Sequence, residues 1–286
     1  MKKSLFTIIL YSLSSLAFAG YTWNGGTEIT TEGWGTESNW TLSGDSSWEA
    51  GKNGPGTTNS NMWDDIYISN ATGTIGSSSD TENRLEGWKL KLHLEQSNLT
   101  FYRTSKFQGG CTIDIDSLSS LTINEYWGGN DGDYIYLNNA GSFTLSYSCR
   151  QQGGNGFVMN LFDTGSVSFL DQNHASPNAA KVASIAAQLI GISSGIQTRQ
   201  LITLDTRADH TVTFDSTATT YSFTTASGEE MMAVNSLEEL QTASVPSYFV
   251  TKDNTGISVS YVVPEPATAT LSLLALGALA MRRRRA

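Results

Sequence analysis

Charge is scarce in this chain, and basic charge scarcer still. Charged residues make up 15% of its 286 positions, against ~25% in an ordinary soluble domain. Lysine and arginine number 17 against 27 acidic residues, and Lys2, Lys3 and Arg282 to Arg285 sit at the extremes. Setting those and Glu265 aside leaves 11 basic and 26 acidic residues between the ends, a net charge of −15. Nucleic acid is thereby excluded as a partner, since phosphate binding needs a basic patch. Cysteine is almost missing: Cys111 and Cys149 are too few for a metal-ligand cysteine set. Neither a Gly-rich phosphate loop nor a nucleophile elbow occurs. With these absent, no cofactor and no metal is expected, and no catalytic residue is assigned.

What fills the polar positions is Gly, Ser, Thr and Asn, a profile that suits β-structure with many turns. The first residues carry a different signal. Lys2 and Lys3 precede an apolar run through Leu5, Phe6, Ile8, Ile9, Leu10, Leu13 and Leu16, and Ala17-Phe18-Ala19 follows it. Positive charge, short apolar core and small-residue site, in that order, predict a secretory signal peptide over 1–19, cut by signal peptidase after Ala19. Export permits a disulfide without requiring one. Cys111 precedes one apolar run and Cys149 follows another. A bond needs Cα atoms within ~7 Å, so two separate thiols are expected.

The last residues read Val263-Pro264-Glu265-Pro266-Ala267, then an uncharged stretch to Met281, then Arg282, Arg283, Arg284 and Arg285. As a helix, 267–281 would be about 22 Å long, short of a hydrocarbon core of about 30 Å. Such a segment is a marginal transmembrane anchor, and the arginines bias its C-terminal side to the cytoplasm. Two prolines leave the chain before it extended, which suits a protease. Over 263–286 the sequence resembles the PEP-CTERM sorting tails of Gram-negative bacteria. The resemblance implies an exosortase-type membrane protease as partner, cutting at Pro264, Glu265 and Pro266 on the way to the envelope, the cell surface or the extracellular matrix.

Between the ends, short apolar runs return at a fixed spacing. One series starts at Ile66 and returns at Leu90, Ile113, Ile135 and Val158; a second includes Ile75, Leu99, Leu121, Phe143 and Val167. Both have a period near 22–23 residues, which a chain of hairpins has no reason to keep and a solenoid must. The expected fold is therefore all-β, a parallel β-helix over 65–215, with a β-sandwich of strands every 8 to 12 residues as the alternative. A Trp-rich unit over 20–64 closes its start. There Tyr21-Thr22-Trp23-Asn24-Gly25-Gly26 with Trp34, Asn39-Trp40 and Trp48 resembles the opening of autotransporter-type β-helices.

Ser176-Pro177 followed by Ala179, Val182, Ala183, Ala186, Leu189 and Ile190 predicts a helix near 177–190. A small α+β cap is expected over 216–262, with a capping box at Ser236-Leu237-Glu238-Glu239 and a hairpin around Asp253-Asn254-Thr255-Gly256.

Aligning Leu90 with Ile113 and Ile135 places Lys91 beside Asp114 and Tyr136, and His93 beside Asp116 and Asn138. That outward stripe of Lys91, His93, Asp114, Asp116 and Tyr136 is where a polysaccharide lyase or hydrolase would carry its groups. Cross-strand charge pairs on a wet sheet face are structurally sufficient on their own. Gly128 to Asp133 supplies too few oxygens for calcium, which takes six to eight ligands. The functional expectation is a non-enzymatic surface, matrix or adhesion protein. A carbohydrate-binding or polysaccharide-cleaving exoprotein is the alternative.

Overall fold

Short strands that bury every second side chain can satisfy their backbone only by stacking on one another, and this chain coils to do so. The computed structural model describes residues 20–44, 54–55, 65–77, 86–102, 105–108, 110–127, 134–150, 156–162, 164–170, 179–180, 182–190, 195–204, 213–214 and 219–264. On one face, Gly20–Trp23, Asp65–Ser69, Lys91–Glu95, Cys111–Ile115, Tyr134–Asn139, Gly156–Leu161, Val182–Leu189 and Thr220–Thr225 pair in parallel in that order. The antiparallel strand Trp40–Ser43 closes the N-terminal edge of that face. On the second face, Glu28–Ile29, Thr72–Ile75, Asn98–Phe101, Ser120–Trp127, Ser142–Arg150, Ser166–Phe169 and Gln197–Leu204 do the same. Glu86–Trp88 and Ser105–Gln108 supply part of a third side by joining the far end of Ser120–Trp127. The fold is all-β and consistent with the parallel β-helix.

The second-face register follows the expected alignment, with Leu99, Leu121, Phe143 and Val167 side by side. The first-face register does not. Ile113 lies between Leu92 and Leu137, so Leu90 and Ile135 are each displaced by two residues from the expected alignment. A slip of two keeps every side chain on its own face, so apolar alternation alone cannot choose between the two registers. Corner chemistry can. Where the chain turns between the faces its backbone leaves the ladder, and buried polar groups need other partners. Ala71 N donates to Ser97 Oγ (3.1 Å) and Ser97 N to Ser119 Oγ (2.9 Å), while Ser119 Oγ donates to Asp116 Oδ1 (2.5 Å).

One turn further on, the fully buried Asn139 takes over this corner. Its Nδ2 donates to Ser166 O (2.7 Å) and its Oδ1 accepts from Gly141 N (2.9 Å). Asn139→Leu keeps the branched shape and removes both bonds, so it is expected to cost at least ~1–3 kcal/mol through the two groups left unpaired. Urea unfolding of the body measures this.

The interior is aliphatic with a short aromatic column. Phe157 lies 6.0 Å from Phe143 and 5.6 Å from Phe169, ring centre to ring centre, and all three are fully buried. At the N-terminal end Trp34 packs edge-on against Trp40 (4.9 Å) and Phe101 (5.3 Å), and Trp23 against Trp40 (5.2 Å). Trp23, Trp34 and Trp40 are buried, so these three close the first turn and are not available to stack on sugars. Trp48 lies outside the described residues.

The helix near 177–190 is corrected: Ala179–Ala180 and Val182–Leu189 are strands. Val182, Ile185, Ala187 and Leu189 are buried while Ala186 and Gln188 point outward. Val182, Ala186 and Leu189 also fit a helical stripe, the ambiguity that short apolar runs always carry. The ladder edge of Gly156–Leu161 decides it by pairing with this segment. Ser176-Pro177 lies outside the described residues.

Within 216–262, Thr220–Thr225 is the last parallel strand of the first face, so the stack extends past residue 215. Ser236 Oγ accepts from Glu239 N (3.2 Å), and Glu239 Oε2 accepts from Asn235 N (2.9 Å), opening the Leu237–Gln241 helix as expected. Ser247–Asp253 and Gly256–Val262 form the hairpin, and its second strand pairs antiparallel with Gln197–Leu204. The reversal is held by Asp253 Oδ1, which accepts from Thr255 N (2.7 Å), Thr255 Oγ1 (2.5 Å) and Gly256 N (3.1 Å). A side chain at Gly256, where φ is +145°, would place its Cβ 1.9 Å from Ile202 O. Only glycine lets the hairpin lie against the solenoid.

Candidate functional site

Parallel stacking sets the outward residues of the first face one above another, so like positions become neighbours. In the observed register Tyr67, His93, Asp114, Asn138 and Asn160 form one such row. Tyr67 and His93 stack face to face at 4.4 Å. His93 Nδ1 lies 2.7 Å from Asp114 Oδ2. Asn138 Nδ2 donates to Asp114 Oδ1 (2.7 Å), and Asn160 Nδ2 donates to Asn138 Oδ1 (2.9 Å). Each member therefore satisfies the next.

Asp114 carries the clearest electrostatic signature. Burial, the largest single influence, pushes its carboxyl up, but the hydrogen bonds from His93 and Asn138 and the charges of His93 and Lys91 together hold it below the ordinary value. Tyr67 is raised, first by burial and then by Asp65 and Asp114. For an acid depressed in the folded state, the stabilisation is present above the unfolded value of ~4 and is lost as pH falls through the folded one. Asp114→Asn is thus expected to flatten the fall in stability on the acid side of pH 4, relative to the parent chain. Thermal unfolding midpoints across that range check it.

The expected stripe is partly reassembled. His93 and Asp114 do meet. Lys91 pairs instead with Asp65, Nζ to Oδ1 at 3.4 Å, and stands level with Thr112. Asp116 is withdrawn from the stripe by the corner, where Oδ2 accepts from Gln96 N (3.1 Å) and Oδ1 from Leu118 N (3.1 Å) as well as from Ser119. Tyr136 is exposed, also level with Thr112. Asp65, Tyr67 and Asn160 were not singled out from the sequence. The signal that finds them is the triplet Ile66-Tyr67-Ile68 laid against Leu92-His93-Leu94 instead of Leu90-Lys91-Leu92.

A hollow of about 370 Å³ runs beside this row, lined by Tyr67, Ser69, His93, Glu95, Asp116, Asn138 and Phe162 among others. His93 Nε2, the one ring nitrogen not committed to Asp114, is buried and has no hydrogen-bond partner among the described residues. A larger, open hollow of about 1020 Å³ at the start of the second face is threonine-rich and holds only Glu28 and Glu32 as titratable groups. Among the described residues no group of three or more His, Cys, Asp or Glu could hold a metal ion. Cys111 lies on the first face and Cys149 on the second.

Pro264 is half-buried at the end of the described chain. Ala17, Ala19, Glu265, Pro266, Arg282 to Arg285, the 267–281 segment and Gly128 to Asp133 lie outside the described residues. Among the described residues no helix is long and apolar enough to cross a membrane.

Residues 262–285 match the PEP-CTERM protein-sorting motif. That motif indicates an exported surface protein processed by an exosortase through a membrane intermediate. No curated protein and no solved structure matches the chain.

Proposed function

We propose that the chain is a structural or adhesive protein of the cell surface or extracellular matrix, cut from a transient inner-membrane anchor and acting without catalysis. The observation that carries this reading is the sorting motif at 262–285, appended to a rigid coil. Secretion machinery would export the chain. Signal peptidase would cut after Ala19 and an exosortase-type protease at Pro264, Glu265 and Pro266. In support, the outward polar groups serve one another: His93 with Asp114, Lys91 with Asp65, Asp116 with its own corner. A parallel stack opened by packed tryptophans is also what the autotransporter-like opening would lead to.

The hollow beside His93 and the exposed Tyr136 favour a second reading, in which the same face binds or cleaves an extracellular polysaccharide. Treating intact cells with an external protease tests the first. Degradation of the body with sparing of cytosolic markers is the expected result, and full protection in intact cells would overturn it. Glycan-array binding abolished by Tyr136→Ala would move the account to the second reading.

A further inference from the structure

The sorting tail leaves the fold from an interior strand. Gly256–Val262 is paired on both sides, with Gln197–Leu204 and with Ser247–Asp253, and Val263 still packs on the core. From Val262 to Ala267, the first residue of the uncharged segment, the chain can reach at most about 18 Å even when fully extended. While the segment is in the membrane, the end of the body that carries Val262 is therefore held close to the bilayer.

That end has a chemistry of its own. The ladder sets Met232, Ser247 and Val262 in one row, so Met232 stands about 10 Å from the point of exit. Met232 N donates to Pro246 O (2.9 Å), which brings Val245 and Pro246 to the same rim. Met232 is 52% exposed and Val245 45%. The opposite end of the same hairpin is wholly polar, with Lys252, Asp253, Asn254 and Thr255 all exposed. Other large apolar side chains stand exposed elsewhere, Leu118 at its corner and Tyr136 on the first face among them, but Met232 and Val245 are the two that flank the exit of the tether.

We infer that the rim formed by Met232, Val245, Pro246 and Val263 rests on the lipid surface in the anchored precursor, with the 252–255 turn directed away from the membrane. The inference rests on the anchoring reading proposed above. Tethering supplies the driving force, because a short linker holds the rim at high effective concentration against the bilayer. Charge does not supply it: the Tyr248 phenol, beside Ser247 on the hairpin, is raised first by burial and then by the charge of Glu230, which puts negative charge beside the rim.

The test uses the full chain in phosphatidylethanolamine–phosphatidylglycerol vesicles, with the photo-crosslinking residue benzoylphenylalanine in place of Val245 or, as control, Asn254. Lipid adducts at 245 are expected to exceed those at 254 by ~10-fold, and a long Gly/Ser insertion after Val263 should abolish the difference by diluting the rim away from the surface. A chain that stays on the vesicles through alkaline extraction but gives equal adducts at both positions overturns the rim and leaves the anchor standing. A chain that does not stay on the vesicles overturns both.

Discussion

Replacing Pro264, Glu265 and Pro266 with alanines is expected to leave an uncut precursor in the inner membrane and to remove the body from the cell surface. The physical case is local. Two prolines fix an extended backbone with no helix hydrogen bonds to break before a protease can take it. The fold reinforces this, since ladder pairing runs to Val262 and Pro264 is already half-buried against the body. On the proposed reading, a protease works in the few residues between a paired strand and the bilayer. Alanines in place of the prolines favour helix, which would hide the bonds to be cut. The readout is a blot of membrane and surface fractions. Wild-type processing of the alanine variant would defeat the sorting assignment.

The second large effect concerns the coil. Phe157 sits between Phe143 and Phe169, fully buried, on a strand with a parallel neighbour on each side. Phe157→Ala is expected to destabilise the body by ~3–5 kcal/mol, the usual result of emptying an aromatic site in a packed interior. Tyr136→Ala, on the strand directly below but exposed, is expected to stay within ~0.5 kcal/mol. Because each turn contacts only its neighbours, the loss should spread from the middle of the stack and broaden the unfolding transition. Paired urea titrations followed by tryptophan fluorescence measure both variants. Equal effects at 136 and 157 would contradict the stacking.

How much of this was legible in the sequence depended on what each feature needs. The period was legible because stacked turns must return their apolar residues at matching spacing, and the second series, Leu99 to Val167, gave the register outright. The first series gave the face but not the register. Leu90-Lys91-Leu92-His93-Leu94 offers two alternations that bury leucines equally well, and the choice between them rests on Ser97, Ser119 and Asp116 at the corner. Hydrogen bonds between residues twenty positions apart leave no local pattern. The same two-residue ambiguity carried through to the candidate site, moving Lys91 to Asp65 and His93 to Asp114.

The segment 182–189 is ambiguous in the sequence for a different reason. Alanine is neutral on an inward or an outward position, so Val182, Ala183, Ala186 and Leu189 fit a helix as well as a strand, and only the pairing with Gly156–Leu161 separates the two. The hairpin and its helix were read correctly because capping and turn chemistry are local: Ser236 with Glu239, and Asp253 with Thr255 and Gly256. Asn139 was missed because a buried asparagine in a polar sequence looks like any other surface residue.

The most direct measurement is the intact mass of the protein recovered from its native host, with both termini sequenced. An N-terminus at Gly20 and a C-terminus within or next to Pro264-Glu265-Pro266, with the arginine cluster gone, is the result this account predicts. A cytosolic product carrying both Met1 and Ala286 would contradict it.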